Sequence, residues 1–321
     1  MTLYKRIFSQ SQNIDFERIA LDVFDYQFKN CPIYKQYVTQ LDWSKPECIE
    51  EIPFLPISFF KSHHIICEEL APEIVFKSSG TSGIRSTHLI AKKSSYIDSF
   101  NATYNEVIGN PQGQVILALL PNYIEQGDSS LVYMIEHLIE QTKNDLSGFY
   151  LQSFEDMILS YEKGVSSGKQ VVLFGVSFAL LDLAELSPDL SKAIIIETGG
   201  MKGRREELTK QGLHEQLIKG FGCEYISSEY GMTELLSQAY SRKDGVFAPG
   251  RMMEVFIREV NDPFRYVDNG NTGGINIVDL ANIHSCSFIA TNDLGRKVDG
   301  GFELMGRYDG ADIRGCNLLV H

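Results

Sequence analysis

Between Val75 and Ile90 the chain reads VFKSSGTSGIRSTHLI. Four hydroxyl side chains, Ser78, Ser79, Thr81 and Ser82, stand around Gly80 and Gly83. Glycine lets a backbone approach an anion closely, and a run of N–H groups in such a loop forms an anion-binding nest. The hydroxyls add donors to phosphate oxygens. The loop lacks GxxxxGK[ST], so it is not a Walker-type loop. By itself it is weak evidence for a phosphate-holding loop, since many Ser/Gly turns between strands bind nothing.

Three later stretches carry comparable chemistry. SSEYGMTE (227–234) follows an apolar run and ends in an acid. TNDLG (291–295) sets Asp293 before a glycine turn, and GRYDGADIRG (306–315) puts Arg307 and two acids on a tight loop. Each has a plain structural reading. Tyr230 suits a strand end, Asp293 suits an Asx turn, and Arg307 with Asp309 suits a surface ion pair.

In this order and spacing the four stretches resemble the adenylate-forming superfamily of acyl-CoA synthetases, firefly luciferase and peptide-synthetase adenylation domains. The superfamily loop runs [ST]SG[ST][ST]G and then PKG. Here SSGTSG matches, and IRS stands in place of PKG. Tyr230, Gly231, Met232, Thr233 and Glu234 meet the Y-G-x-T-E stretch, and T-x-D-x-G and G-R-x-D are also met. ETGGMKGRREEL (197–208) and the ending DIRGCNLL look closer still to the acyl-protein synthetases of bacterial bioluminescence. The phenylacetate–CoA ligase branch is more distant.

The resemblance implies an ATP- and Mg²⁺-dependent ligase that activates a carboxylic acid, a fatty acid in the nearer family, to an acyl-adenylate and passes the acyl group to a thiol. Ser78, Ser79, Gly80, Thr81, Ser82 and Gly83 would hold the β- and γ-phosphates. Tyr230 and Gly231 would lie against adenine, and the Gly199–Gly200 turn would admit its edge. Thr233 would bond phosphate, Glu234 would hold Mg²⁺, Asp293 would take the ribose hydroxyls, and Arg307 would lie near the ribose or phosphate. The chain ends six residues after Gly315, so the superfamily's mobile C-terminal domain and its catalytic lysine are expected to be absent. Arg85, Lys202 and Arg204 flank glycine-rich loops and are candidates for the replacement cation. Cys316, beside Arg314, is a candidate acyl acceptor, because neighbouring cations favour thiolate. Other acceptors are a partner reductase or carrier protein, or coenzyme A.

Two other function classes remain open. LFGVSFALL (173–181) places Ser177 in a setting like a nucleophile elbow, with Asp279 followed by His284 or His321. Its fifth position is Ala rather than Gly, and it leaves the other motifs unused. In the ligase reading Gly175 and Phe178 line the acyl pocket instead. The third class is a non-catalytic nucleotide-binding subunit.

The elements that must position these residues follow from hydrophobic pattern. GQVILALLP (113–121), KQVVLFGVS (169–177), KAIIIETGG (192–200) and CEYISSEYG (223–231) are short apolar runs, the pattern of strands buried on both faces. Helical patterns lie between them: DSSLVYMIEHLIEQTK, SFEDMILSYEKG and RREELTKQGLHEQLIKGFG. The alternation predicts an α/β fold, a large mostly parallel sheet with flanking helices. The strand exits GVS, ETGG and SEYGMTE should face one crevice. Residues 1–74 form a mainly helical segment packed on the core, in which Pro32 ends the first long helix and EIPFLPISFFKSHHI runs extended. Residues 75–244 form the α/β core, and 245–321 a small antiparallel β subdomain.

The chain has 321 residues and 43% hydrophobic residues, enough for a substantial core. A net charge of −13 argues against broad electrostatic binding of nucleic acid or an anionic membrane. No apolar run reaches the roughly 18 residues of a membrane span, and the N-terminus has no signal-peptide pattern, so a cytoplasmic protein is expected. The six cysteines are scattered without a CxxC. His284 and Cys286 alone make a weak zinc motif, and His63 and His64 read as packing residues.

Overall fold

The computed structural model describes residues 2–8, 15–79, 83–121, 127–150, 153–199 and 208–307. Gly80, Thr81, Ser82, Gly200, Lys202, Arg204, Asp309, Cys316 and His321 lie outside these residues.

The N-terminal helices are α1 (Leu3–Ile7), α2 (Phe16–Asn30), α3 (Pro32–Gln40) and α4 (Phe59–Ser62). Asp15 caps α2 by accepting from Arg18 N, and Pro32 opens α3 at its first turn, where a missing N–H costs nothing. Phe24, Tyr34 and Phe54 pack their rings around Phe288, and Gln27 donates to the carbonyls of Asn282 and Ile283. The stretch expected to be extended is broken up. A 3₁₀ turn at Ile49–Glu51 leads into it, and it contains the short strand β1 (Leu55–Pro56) and α4. Pro53 and Pro56 stop regular structure up to that point, and SFFKS beyond them is free of proline and coils.

Strands β2 (Ile74–Lys77) and β3 (Thr87–Ile90) pair antiparallel, so the Ser/Gly loop joins the two strands of a small separate sheet. The helix α5 (Lys93–Val107) follows. Next come β4 (Gln114–Leu119), α6 (Ser130–Thr142), β5 (Gly148–Phe149), α7 (Phe154–Ser166), β6 (Gln170–Val176), α8 (Ser177–Ala184), β7 (Ala193–Thr198), α9 (Lys210–Phe221) and β8 (Ser227–Tyr230). These strands pair in parallel in the order β5-β4-β6-β7-β8. Every residue of β4 is buried, as its unbroken apolar sequence requires. The chain then forms β9 (Ala239–Ser241), β10 (Val246–Pro249), β11 (Met253–Arg258), β12 (Thr272–Asp279), β13 (Phe288–Val298) and β14 (Gly301–Arg307).

The antiparallel strands continue the parallel ones through the β8–β9 pair, giving one mixed sheet of twelve strands among the described residues. Its order runs β11-β12-β13-β14-β10-β9-β8-β7-β6-β4-β5, with β1 paired to β13. The result is that the exits of β6, β7 and β8 stand opposite β13 and β14. None of the described helices is long and apolar enough to cross a membrane.

Candidate active site

A chamber of about 740 Å³ opens beyond the carboxyl ends of β6, β7 and β8, the place where ligands bind in open α/β sheets. Most of the described motif residues line it. Ser78 and Ser79 come from the hairpin loop, and Gly199 from the end of β7. Tyr230, Gly231, Thr233 and Glu234 come from the end of β8, and Asp293 and Arg307 from β13 and β14. Residues more than 200 positions apart are thus brought to one cavity.

The loop after β8 is fixed by one buried carboxylate. Asp279, at the end of β12, accepts from Leu236 N (2.7 Å), Ser237 N (3.0 Å), Ser237 Oγ (2.6 Å) and Ala281 N (3.2 Å). Burial pushes its carboxyl up, against the pull of those donors. Two further side chains hold the loop backbone. Asn282 Nδ2 donates to Glu234 O (2.9 Å), and His88 Nδ1 lies 2.8 Å from Thr233 O. His88 is fully buried on β3, and burial lowers it to about 4, so it is neutral at physiological pH. It therefore ties the hairpin that carries the Ser/Gly loop to the Thr233–Glu234 turn. The Glu234 carboxyl is buried, which raises its pKa, with the Ser86 hydroxyl as hydrogen-bond partner and Arg307 and Lys61 as the nearby cations.

The Tyr230 ring packs edge-on against Phe247 and Phe302 at 5.9 and 5.3 Å. Its hydroxyl donates to Asp293 Oδ2 (2.8 Å). Burial raises the Asp293 carboxyl. Arg307 Nε lies 3.9 Å from its other oxygen, across the β13–β14 register. Tyr230 and Asp293 are a coupled pair here, which their separate motifs did not reveal.

Arg85 is placed differently from expectation. Its guanidinium donates to Ser78 O, to Lys77 O (3.3 Å) and to Asp128 Oδ1 (2.6 Å), and it does not line the chamber. It clamps the ends of the Ser/Gly loop together. The cations that line the chamber among the described residues are Lys61, Lys77, Lys210 and Arg307. Gly83, with φ of +125°, also lies off the lining.

Gly175 and Phe178 do not reach the chamber either. Gly175 lies against Leu180, and Phe178 is buried. Ser177 does reach it, but its hydroxyl sits 2.7 Å from Glu197 Oε1 and 2.8 Å from Gly199 O. Of the expected triad partners, Asp279 and His284 are placed elsewhere, and His321 lies outside the described residues. Asp279 holds the loop described above, and His284 stacks with Tyr4 and meets Tyr26 edge-on. Cys286 is buried with its thiol directed to Phe288 O, and no group of three metal-binding side chains occurs among the described residues. The nucleophile elbow is therefore corrected to a strand–helix junction whose serine anchors Glu197.

Beneath the motif residues lies a polar floor that the motif reading missed. Glu197 Oε2 is 3.2 Å from Lys210 Nζ, 3.9 Å from His214 Nε2 and 3.1 Å from Ser228 Oγ. Burial pushes this carboxyl up, but His214, Lys210 and Ser177 together outweigh that and hold it at about 2. Next to it, Glu229 Oε2 accepts from Thr198 Oγ1 at 2.6 Å. Burial dominates at Glu229, assisted by repulsion from Glu197, and lifts it to about 7. Both acids stood inside the quoted stretches, ETGG and SSEYGMTE, and only the tertiary fold turns them to the cavity.

Two expected outcomes follow from this geometry. Asp279→Ala leaves three N–H groups and a hydroxyl without their acceptor, and a drop of roughly 3–5 kcal/mol in unfolding free energy is expected by denaturant titration. For Glu229, the folded state keeps a proton that the unfolded state, with its carboxyl at 4.5, releases. Stability is therefore lost as pH rises from about 4.5 to about 7, by about 3 kcal/mol at most. His88, lowered by burial to about 4, contributes the opposite slope below about pH 6.5. The Glu229 share is therefore read as the difference in unfolding midpoint between wild type and Glu229→Gln, which should fall as pH rises from about 4.5 to about 7. The opposite dependence from Glu197 falls below pH 4.5 and does not overlap.

Comparison with known proteins agrees with this architecture. The ATP-bound MatB of Rhodopseudomonas palustris is similar at 16% identity and a TM-score of 0.54, covering 73% of this chain and 47% of that one. The 2-hydroxyisobutyryl-CoA ligase in its postadenylation state with 2-HIB-AMP is similar at 11% identity and a TM-score of 0.62, covering 91% and 68%. The chain thus spans about half the length of the MatB structures, and at these identities the likeness concerns the fold. A search of curated proteins finds no match. The sequence itself matches the LuxE acyl-protein synthetase description over residues 6–321. The chain belongs to the LuxE acyl-protein synthetase family.

Proposed function

We propose that this protein activates a carboxylic acid with ATP and transfers the acyl group to a thiol. The observation that carries this reading is the convergence of Ser78, Ser79, Tyr230, Thr233, Glu234, Asp293 and Arg307 on one chamber. In the first step a carboxylate oxygen of the acid attacks the α-phosphorus of ATP. The bond from that phosphorus to the bridging oxygen breaks, and pyrophosphate leaves. In the second step a thiolate attacks the acyl carbon and AMP leaves.

The residues divide this work by chemistry. Ser78 and Ser79, with Gly80, Thr81, Ser82 and Gly83 beyond them, present donors to the terminal phosphates. Arg85 keeps the loop closed at its base. Thr233 donates to phosphate. Asp293 accepts from the ribose hydroxyls, and Tyr230 orients it through its own hydroxyl. Gly199 and Gly200 leave room for the base, and Gly231 carries the backbone past it. Glu234 is a buried carboxyl on the chamber wall, and its oxygens are of the hard kind that Mg²⁺ prefers. That ion, when bound, supplies neutralisation of phosphate charge. The protein contributes alignment and fixed dipoles, the main sources of rate in phosphoryl and adenylyl transfer.

The family supports a fatty acid as the acid, and a protein as the final acceptor. Cys316 as first acceptor, Lys202 as an added cation, coenzyme A as an alternative acceptor and a cytoplasmic site of action belong to the same proposal. Acid-dependent exchange of labelled pyrophosphate into ATP tests the first step. Glu234→Ala is expected to cut the exchange about a hundredfold or more. Full exchange in that variant would remove Glu234 from the mechanism, and ATP binding with no exchange for any acid would leave a nucleotide-binding subunit. For the second step, labelled acid should remain on the wild-type chain after denaturation and be lost in Cys316→Ser. Retention of label by Cys316→Ser excludes that cysteine as the acceptor.

A further inference from the structure

We propose that Glu229 selects the acid, and that the acid carries a hydrogen-bond donor, a hydroxyl or an ammonium, close to its carboxyl end. The proposal rests on the acid-activating reading above and narrows its substrate class.

Glu229 is the penultimate residue of β8, just before Tyr230, and lines the chamber. Its two oxygens differ in their surroundings. Oε2 is taken by the Thr198 hydroxyl at 2.6 Å. Oε1 lies against Gly231, so close that a Cβ on that residue would stand 2.3 Å from it. Gly231 is therefore a glycine because the carboxyl occupies the space of a side chain. Among the described residues no donor reaches Oε1. Tyr240 lies opposite Glu229 in the β8–β9 register, and Gln238, two residues earlier on the same face, also lines the chamber.

The contrast with Glu197 is informative. Glu197 has Lys210, His214, Ser177 and Ser228 around it, so its charge is met within the protein. Among the described residues Glu229 accepts only from the Thr198 hydroxyl; Lys210 favours its charge from a distance, and Glu197 repels it. A second carboxyl with an open oxygen is costly in a cavity that must admit a carboxylate substrate, because like charges in a shielded site repel and an unmet polar atom loses its solvation. A plain alkyl chain would leave Oε1 unmet. A hydroxyl or ammonium on the acid would meet it. The position beside Gly231, next to the residues assigned to the nucleotide, places that donor near the reacting carboxyl rather than at the far end of the acid.

The test uses the intact chain and straight-chain acids of one length, unsubstituted, hydroxylated or aminated at the second or third carbon. Calorimetric binding and pyrophosphate exchange are measured on the same panel. A hydroxy or amino acid is expected to bind about 10- to 100-fold more tightly than the unsubstituted acid, the usual consequence of a buried polar group left unpaired. Glu229→Leu should abolish that preference. Glu229→Gln, closer in shape, should weaken the amino arm and spare the hydroxy arm, which separates the two donors. Equal or tighter binding of the unsubstituted acid, or a preference that survives Glu229→Leu, overturns the proposal. Selective binding with no exchange upholds Glu229 and counts against adenylation. Exchange with unsubstituted acids alone does the reverse, and a panel of which no member binds overturns both.

Discussion

The carboxylate of Asp279 is the interaction on which the site depends. It ends β12 in the antiparallel part of the sheet, yet its acceptors are filled by Leu236 and Ser237, in the turn that leaves the parallel part. A buried charge is tolerated only where donors replace water, and here four do so. The same turn carries Thr233 and Glu234, whose carbonyls are held by His88 and Asn282. The turn therefore has little freedom of its own. Its geometry is set by β3, β12 and the segment after β12 together.

One continuous sheet makes that arrangement possible. Antiparallel pairing of β8 with β9 reverses the chain at the chamber, and β10, β14 and β13 return Asp293 and Arg307 to face Tyr230. The N-terminal helices brace the other side of β13 through the aromatic cluster around Phe288. The hairpin β2–β3 adds the wall that carries Ser78 and Ser79. Arg85 fixes its loop through two carbonyls and Asp128.

The chamber floor shows how environment separates like groups. Glu197 and Glu229 lie on adjacent strands, Glu197 buried and Glu229 half-buried on the chamber wall. Glu197 is held ionised by two basic side chains and hydroxyls, whereas Glu229, with one hydroxyl, is lifted towards neutral pH. Such divergent carboxyls in one cleft are a mark of functional sites. The family places the chain among acyl-protein synthetases. This floor gives its cavity a polar character, while Phe178, expected to line an acyl pocket, is buried in the core.

The sequence by itself determined the parallel strands, since β4, β6 and β7 are continuous apolar runs that can only be buried on both faces. It also determined the motif residues, because loops that approach phosphate need glycine and hydroxyl residues in a fixed local order. Helix α5 escaped that reading. Its buried face mixes Tyr96, Phe100 and Tyr104 with Ser95, Ser99 and Thr103, which blurs the apolar period. The roles of Asp279, His88, Arg85 and Glu229 were decided only by the tertiary structure. A carboxylate that caps a distant turn, an arginine that clamps its own loop and an acid that faces a cavity have the same local sequence as surface residues. What separates them is the position of donors and of water, and that is fixed by pairing between strands far apart in the chain.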